Sequence, residues 1–238
     1  MLAIVYGVGQ LNLDFMKFFS NVLFPATAAV ASAASFLTLK KYARHNPKPP
    51  FSAAWISFSS GITLWFLGEL TWAIYVQYLM MKPFPSVADV FYLSGYVFLF
   101  LALFLILKLF KLSFSPKMSG ITTAITIIFT VAVSYLLLIP IFASSEGFFN
   151  TALAISYPIF DIGLFALAFS ILLIFLEGAI GKAWFFLTIG IILNVVADLI
   201  FSYAELQGFY YEGHPFELFW LWGYVAFLLG FYVHWREL

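Results

Sequence analysis

The chain has 238 residues, 64% hydrophobic and 9% charged, with a formal net charge of zero and a mean hydropathy of +1.03. A soluble domain carries roughly 25% charged residues, so the chain reads as a membrane protein, and the lack of a basic cluster excludes nucleic acid as a partner. No cysteine is present, which removes disulfides, thiolate metal sites and thiol catalysis.

The first ten residues are apolar but short and lack a basic start, so no cleaved signal peptide is expected. Apolar runs then fall near 18–39, 53–79, 88–110, 120–143, 150–176, 183–207 and 216–235. A span needs about 20 apolar residues. The expected fold is all-α: a polytopic membrane protein of seven transmembrane helices in a single membrane domain, 1–238, with the lipid bilayer as its main partner. Too little chain remains for a soluble catalytic domain.

Lys40, Lys41, Arg44 and Lys48 fall between spans one and two. Lys108, Lys111 and Lys117 lie between three and four, Lys182 between five and six, and Arg236 after seven, whereas Lys17 and Lys82 fall on the other side. Basic loops stay cytoplasmic. The N-terminus is therefore expected outside and the C-terminus inside, in the plasma membrane. Segment 41–52 reads as a stiff, Pro-rich cytoplasmic loop.

Two stretches correspond. Ala54-Trp55 leads to Gly61 and Glu69; Ala183-Trp184 leads to Gly190 and Asp198 at the same offsets. Each is followed by a loop proline, a carboxylate, an aromatic and Gly-Tyr: Pro85, Asp89, Tyr92, Gly95-Tyr96, then Pro215, Glu217, Trp220, Gly223-Tyr224. Phe24-Pro25 in span one echoes Tyr157-Pro158 in span five. The expected architecture is a parallel 3+1+3 internal repeat: repeat A about 18–111, a linking helix about 120–143, and repeat B about 150–235. In parallel-repeat transporters the site lies near the midplane between repeats. Gly61, Gly68, Gly95, Gly190 and Gly223 are expected to let helices pack closely.

At ~1.5 Å per residue, Glu69 lies roughly 15 Å inward from the outer end of its span, and Asp161 and Asp198 are about as deep. Asn194 and Asp198 share one face of span six; Trp65, Glu69 and Trp72 share one face of span two. A buried acid faces the bundle interior or a water cavity. No Lys or Arg lies deep in a span, so the acids are protonated, hydrogen-bonded or neutralised by something bound. One reading makes them polar glue between helices; the other makes them a site for a cation, proton or polar ligand. Asp89 and Glu217 read first as helix starts, through the capping box of Ser86-x-x-Asp89 and Pro215 at a first helical position. Yet Asp89, Tyr92, Tyr96 and Glu217, Trp220, Tyr224 each place an acid with two aromatics on one face, which suits organic cations. The aromatic content is otherwise expected at lipid-facing Phe and interfacial Trp and Tyr. His214 reads as a loop residue, and no His pair has metal-ligand spacing.

The segment Pro85-Ser86-Val87-Ala88-Asp89-Val90-Phe91-Tyr92-Leu93-Ser94-Gly95-Tyr96, with Tyr157-Pro158, Asp161, Asn194 and Asp198, resembles multi-span input regions that precede diguanylate cyclase and histidine kinase modules in prokaryotes. The resemblance spans about 15–235 and implies a seven-span sensory or ligand-binding module. No effector module follows Arg236 in this sequence, so output is expected to need a separate cytoplasmic signalling partner. The 3+1+3 arrangement is also similar to SWEET-type sugar transporters and, more loosely, to opsins; span seven (216–232) has no lysine, so no retinal Schiff base is expected, and no cofactor is named. The functional expectation is a receptor-like module binding a small polar or cationic ligand from the outer side. The alternatives are a small solute or cation/proton transporter and a lipid-modifying membrane enzyme with a metal between Glu69, Asp161 and Asp198. No nucleophile–base pair is found, so enzyme activity is not the favoured reading.

Overall fold

Among the described residues, seven helices are long and apolar enough to cross a membrane, and no strand occurs. The computed structural model describes residues 1–44, 49–111, 114–144, 147–178 and 180–237; His45 and Lys48 of the basic segment lie outside them. In chain order the helices are α1 (Leu2–Gly9), α2 (Leu13–Ala43), α3 (Pro49–Gln77), α4 (Val87–Leu109), α5 (Pro116–Val133), α6 (Ile139–Ala143), α7 (Phe148–Leu176), α8 (Lys182–Gln207) and α9 (Leu218–Glu237). A π-helical stretch (Ser134–Leu138) joins α5 to α6, and a 3-10 turn (Pro215–Glu217) leads into α9.

Prolines set several of these features. The segment 41–52, read from sequence as a loop, is mostly helical at its ends: α2 runs to Ala43 and α3 begins at Pro49. Proline suits a first helical turn, where its missing N–H is not needed. Pro140 follows the π-helical stretch closely; a proline ring crowds the carbonyl four residues back and removes a donor, and a wider turn relieves that. Pro25 and Pro158 lie inside α2 and α7. Each leaves the carbonyl four residues earlier, at Asn21 and Ala154, without its intrahelical N–H. At the start of α4, Asp89 Oδ2 accepts from the Ser86 N–H at 2.6 Å and Ser86 Oγ accepts from the Ala88 N–H at 3.1 Å, the expected capping box.

Six spans form a ring in the order α2, α3, α4, α7, α8, α9, with α9 back against α2, while α5 and α6 pack outside it on α7. The tightest neighbours are α3 with α4 and α8 with α9, and glycines make this possible. A Cβ on Gly61 would stand 3.1 Å from the Gly95 carbonyl oxygen, and one on Gly95 would stand 3.2 Å from that of Gly61. Gly190 and Gly223 repeat the arrangement, at 3.0 and 3.1 Å. Such backbone approach is how small residues hold membrane helices together.

Successive spans alternate in direction, so α1 and the loops 78–86 and 208–214 gather at one end, here called the loop end. Lys40, Lys41, Lys108, Lys111, Lys182 and Arg236 gather at the opposite, basic end. The core near the basic end is aromatic: Trp55, Phe58, Trp184, Phe227 and Phe231 are all buried. Most phenylalanines are exposed or half-buried, in line with the sequence reading, and these rings belong to an inward-facing minority. Ring-on-edge packing across helices α3, α8 and α9 gives these side chains a better environment than lipid tails alone.

Candidate functional site

A cavity of about 650 Å³ lies inside the ring at the loop end, within the usual range of roughly 300–1,000 Å³ for ligand pockets. Its floor is set by one residue from each of four spans: Trp65 of α3, Tyr96 of α4, Asn194 of α8 and Tyr224 of α9. Glu69 and Trp72 line it one and two turns above Trp65, and Asp198 lines it one turn above Asn194. Asp89, Tyr92, Tyr157 and Trp220 complete the predicted set on its walls, and Asn21, Pro25 and Ala154 bring the proline-interrupted parts of α2 and α7 to it.

The acids are held by donors from across the ring. Tyr224 of α9 donates to Glu69 Oε1 of α3 at 3.1 Å. The Tyr96 hydroxyl of α4 lies 2.8 Å from Asp198 Oδ2 of α8 and 2.7 Å from Asp161 Oδ1 of α7. Trp220 Nε1 donates to Asp198 Oδ1 at 2.7 Å, and the Tyr157 hydroxyl donates to Asp89. Glu69 and Asp198 remain half-buried, so each keeps part of its carboxyl toward the cavity.

Two predicted residues stand behind the wall. Asp161 has no exposed surface; it meets Tyr96 through Oδ1, while Oδ2 has no hydrogen-bond partner. Glu217 is equally buried and works as a structural acceptor. Its Oε1 takes the Gly213 N–H at 2.8 Å and the Tyr210 hydroxyl at 3.1 Å, and Tyr6 of α1 donates to Oε2 at 3.3 Å. This is the helix-start role, extended to anchor α1.

Several cavity residues escaped the sequence reading. Glu212, in the loop between α8 and α9, lines the cavity and accepts from Asn21 Nδ2 at 2.9 Å and Trp72 Nε1 at 3.3 Å. The loop is further tied to α1, because Gln10 Nε2 donates to the Gly213 carbonyl at 2.9 Å and Tyr211 donates to Gln10. Lys82, exposed at the loop end, also contributes to the wall. A loop carboxylate has no helical periodicity to mark it, and α1 is too short to register as a span. The one available signal was the aromatic run Tyr210-Tyr211 beside Glu212.

Burial pushes the Glu212 carboxyl above its usual range; the hydrogen bonds from Asn21 and Trp72 and the charge of Lys17 offset this in part. Burial and the nearby Glu217 push the Tyr210 phenol well up, so it remains a donor. Burial lowers His214, in keeping with its Nδ1 accepting from the Phe216 N–H at 3.3 Å. Among the described residues, no group of three or more His, Cys, Asp or Glu has the geometry to hold a metal ion. The Glu69, Asp161 and Asp198 set is thus a row of hydrogen-bonded acids rather than a ligand cage.

Comparison with known proteins finds no matching family model, no matching curated protein and no matching solved structure.

Proposed function

We propose that the protein is a receptor-like seven-helix module of the plasma membrane that binds a small organic cation in the cavity. The observation that carries this reading is the cavity's composition: half-buried Glu69 and Asp198 face it between Trp65, Trp72, Tyr92 and Trp220. Carboxylates supply charge, and aromatic faces attract ammonium groups with about 0.5–2 kcal/mol each. The proline-released carbonyls of Asn21 and Ala154 add further negative potential near the wall.

In this reading the loop end and the N-terminus face outside and the basic end faces the cytoplasm, by the rule that basic loops stay inside. The ligand enters from outside. The chain is a parallel 3+1+3 repeat, with α2–α4 matching α7–α9 and α5 as the joiner. Support comes from the ring order, which is unchanged when the two triplets are exchanged, and from the glycine pairs at equal offsets. The aromatic seal at the basic end favours a receptor over a conduit, because the cavity ends at Trp65 and Asn194 and buried rings lie beyond. A transporter remains the second reading, favoured by a cavity lined from both triplets. It predicts flux of labelled tetramethylammonium into proteoliposomes, which the receptor reading does not.

Thermal-shift titration of detergent-purified protein with tetramethylammonium, choline and spermidine, with glucose as neutral control, tests the binding claim. A ligand at 100 times its Kd stabilises by about 2.7 kcal/mol. A Tm rise with at least one cation, lost in Glu69→Gln and Asp198→Asn, is expected. Equal curves in the presence and absence of every cation would end the proposal.

A further inference from the structure

Behind the cavity wall one phenol hydroxyl sits between two carboxyls. We infer that Asp161, Tyr96 and Asp198 form a proton-binding relay, with Asp161 as the protonated member and Asp198 as the ionised member that faces the cavity.

The Tyr96 hydroxyl lies 2.7 Å from Asp161 Oδ1 and 2.8 Å from Asp198 Oδ2. A phenol has one O–H to give. It can donate to one carboxyl only; the other short contact needs a hydrogen supplied from the carboxyl side. Two bare carboxylates would place a second lone pair against the phenol oxygen at hydrogen-bond distance with nothing between. One acid of the pair therefore carries a proton.

The surroundings decide which acid. Asp198 has a donor for each oxygen, Trp220 Nε1 on Oδ1 at 2.7 Å and Tyr96 on Oδ2, and it is half-buried against the cavity. That environment suits a carboxylate. Asp161 has no exposed surface, and its Oδ2 has no partner. An ionised group there would be a buried charge served by one hydrogen bond, which costs several kcal/mol. As an acid it loses only one carbonyl partner, and its O–H donates to Tyr96, whose own O–H donates to Asp198. Every hydrogen in the chain then has an acceptor.

The titratable groups facing the triad are acids and phenols: Glu69 from α3, Asp89 and Tyr92 from α4, Tyr157 from α7 and Tyr224 from α9. On the far side of α7, the α5–α6 segment presents apolar Val133, Leu137 and Ile141. The nearest cation on the cavity wall is Lys82, exposed at the loop end. The position has no counterpart in the other triplet, because Ala28 stands three residues after Pro25 where Asp161 stands three after Pro158.

The relay can move its proton without a co-reactant. The Asp161 O–H bond breaks as an O–H bond forms on Tyr96, and the original Tyr96 proton passes to Asp198 Oδ2. One proton is transferred: Asp198 becomes neutral and Asp161 takes the negative charge, the costlier arrangement, so the resting proton stays on Asp161. A cation in the cavity holds Asp198 ionised and keeps the proton on Asp161, so proton and cation compete for one carboxyl. This last consequence rests on the proposed cation site; the proton assignment does not.

Infrared difference spectra of the purified protein at neutral pH, wild type minus Asp161→Asn, test the assignment without any ligand. Asparagine can donate to Tyr96 as the acid does, so the variant should keep its Tm. The expected result is loss of a deuterium-sensitive C=O stretch of a protonated carboxyl. Loss of a carboxylate stretch instead, or no change in the protonated-carboxyl region, overturns the proposal. Should Asp161→Asn not fold, Asp198→Asn gives the same decision: the protonated-carboxyl band must persist in that variant, and its loss overturns the assignment. A cavity that binds no cation leaves this result standing, and an ionised Asp161 leaves the cavity proposal standing.

Discussion

Trp55 and Trp184 meet with ring centroids 5.0 Å apart near the basic end of the bundle, each 2% exposed. They occupy the same place in the two Ala-Trp segments, and His234 stacks on Trp55 with centroids 4.0 Å apart. Truncating a buried tryptophan costs roughly 3–5 kcal/mol in protein cores. Trp55→Ala and Trp184→Ala should each destabilise the purified protein by about that much, read from circular dichroism during unfolding in detergent. Because the rings share one contact, the double variant should lose less than the sum of the two. Additive losses would mean that the rings do not support each other.

The glycine pairs give a sharper structural test. A Cβ at Gly190 would stand 3.0 Å from the Gly223 carbonyl, and at Gly61 3.1 Å from that of Gly95, whereas one at Gly120 would meet nothing within 4 Å. Backbone cannot give way as a side chain does. Gly61→Ala and Gly190→Ala should therefore cost about 1–3 kcal/mol, the usual range for overpacking. Gly120→Ala should be neutral or slightly stabilising, since alanine is the better helix former. Equal Tm values in all three variants would contradict the close approach.

The fold was legible because membrane spans announce themselves: apolar runs of span length and proline or glycine punctuation placed all seven long helices within a few residues, except that α2 began earlier, at Leu13. Glu69, Asn194 and Asp198 were legible for the same reason, since polar residues at helical spacing in an apolar run must turn inward. What sequence could not supply was which acid faces the cavity. Asp161 and Asp198 look alike in the chain, and only the fold puts Tyr96 between them. Glu212 and α1 were missed because their roles come from contacts between segments about 200 residues apart, as between Gln10 and Gly213. Composition does not tell which few rings, Trp55 and Trp184 among them, turn into the core.

Glu212 predicts how the 208–214 loop responds to pH. Its folded-state carboxyl is raised by burial, so the folded form binds a proton more tightly than the unfolded form. By linkage, stability falls with rising pH between the ordinary carboxyl value, about 4.3, and the raised one. The loop should be held most firmly in acid and loosen as Glu212 ionises. Amide hydrogen exchange of residues 208–214, corrected for intrinsic rate, should show protection decreasing as pH rises through this window. In Glu212→Gln the trend should vanish. An unchanged pH trend in that variant would place its source elsewhere.

Lys82 supplies the last test, because it puts a like charge on the wall of a cavity proposed to take cations. At an exposed site a single charge contributes about 0.2–1 kcal/mol, a factor of roughly 1.4 to 5, so Lys82→Gln should tighten binding of tetramethylammonium within that range. Exposed charges more than about 10 Å apart are screened at 0.1 M salt, so the gain should shrink as sodium chloride is raised. Asp198→Asn should weaken the same ligand at every salt concentration, because its carboxyl is half-buried and held by Trp220 and Tyr96. Isothermal titration of both variants at low and high salt separates the effects. A Lys82→Gln protein that binds the probe no better than wild type at low salt would show that Lys82 does not repel the bound cation.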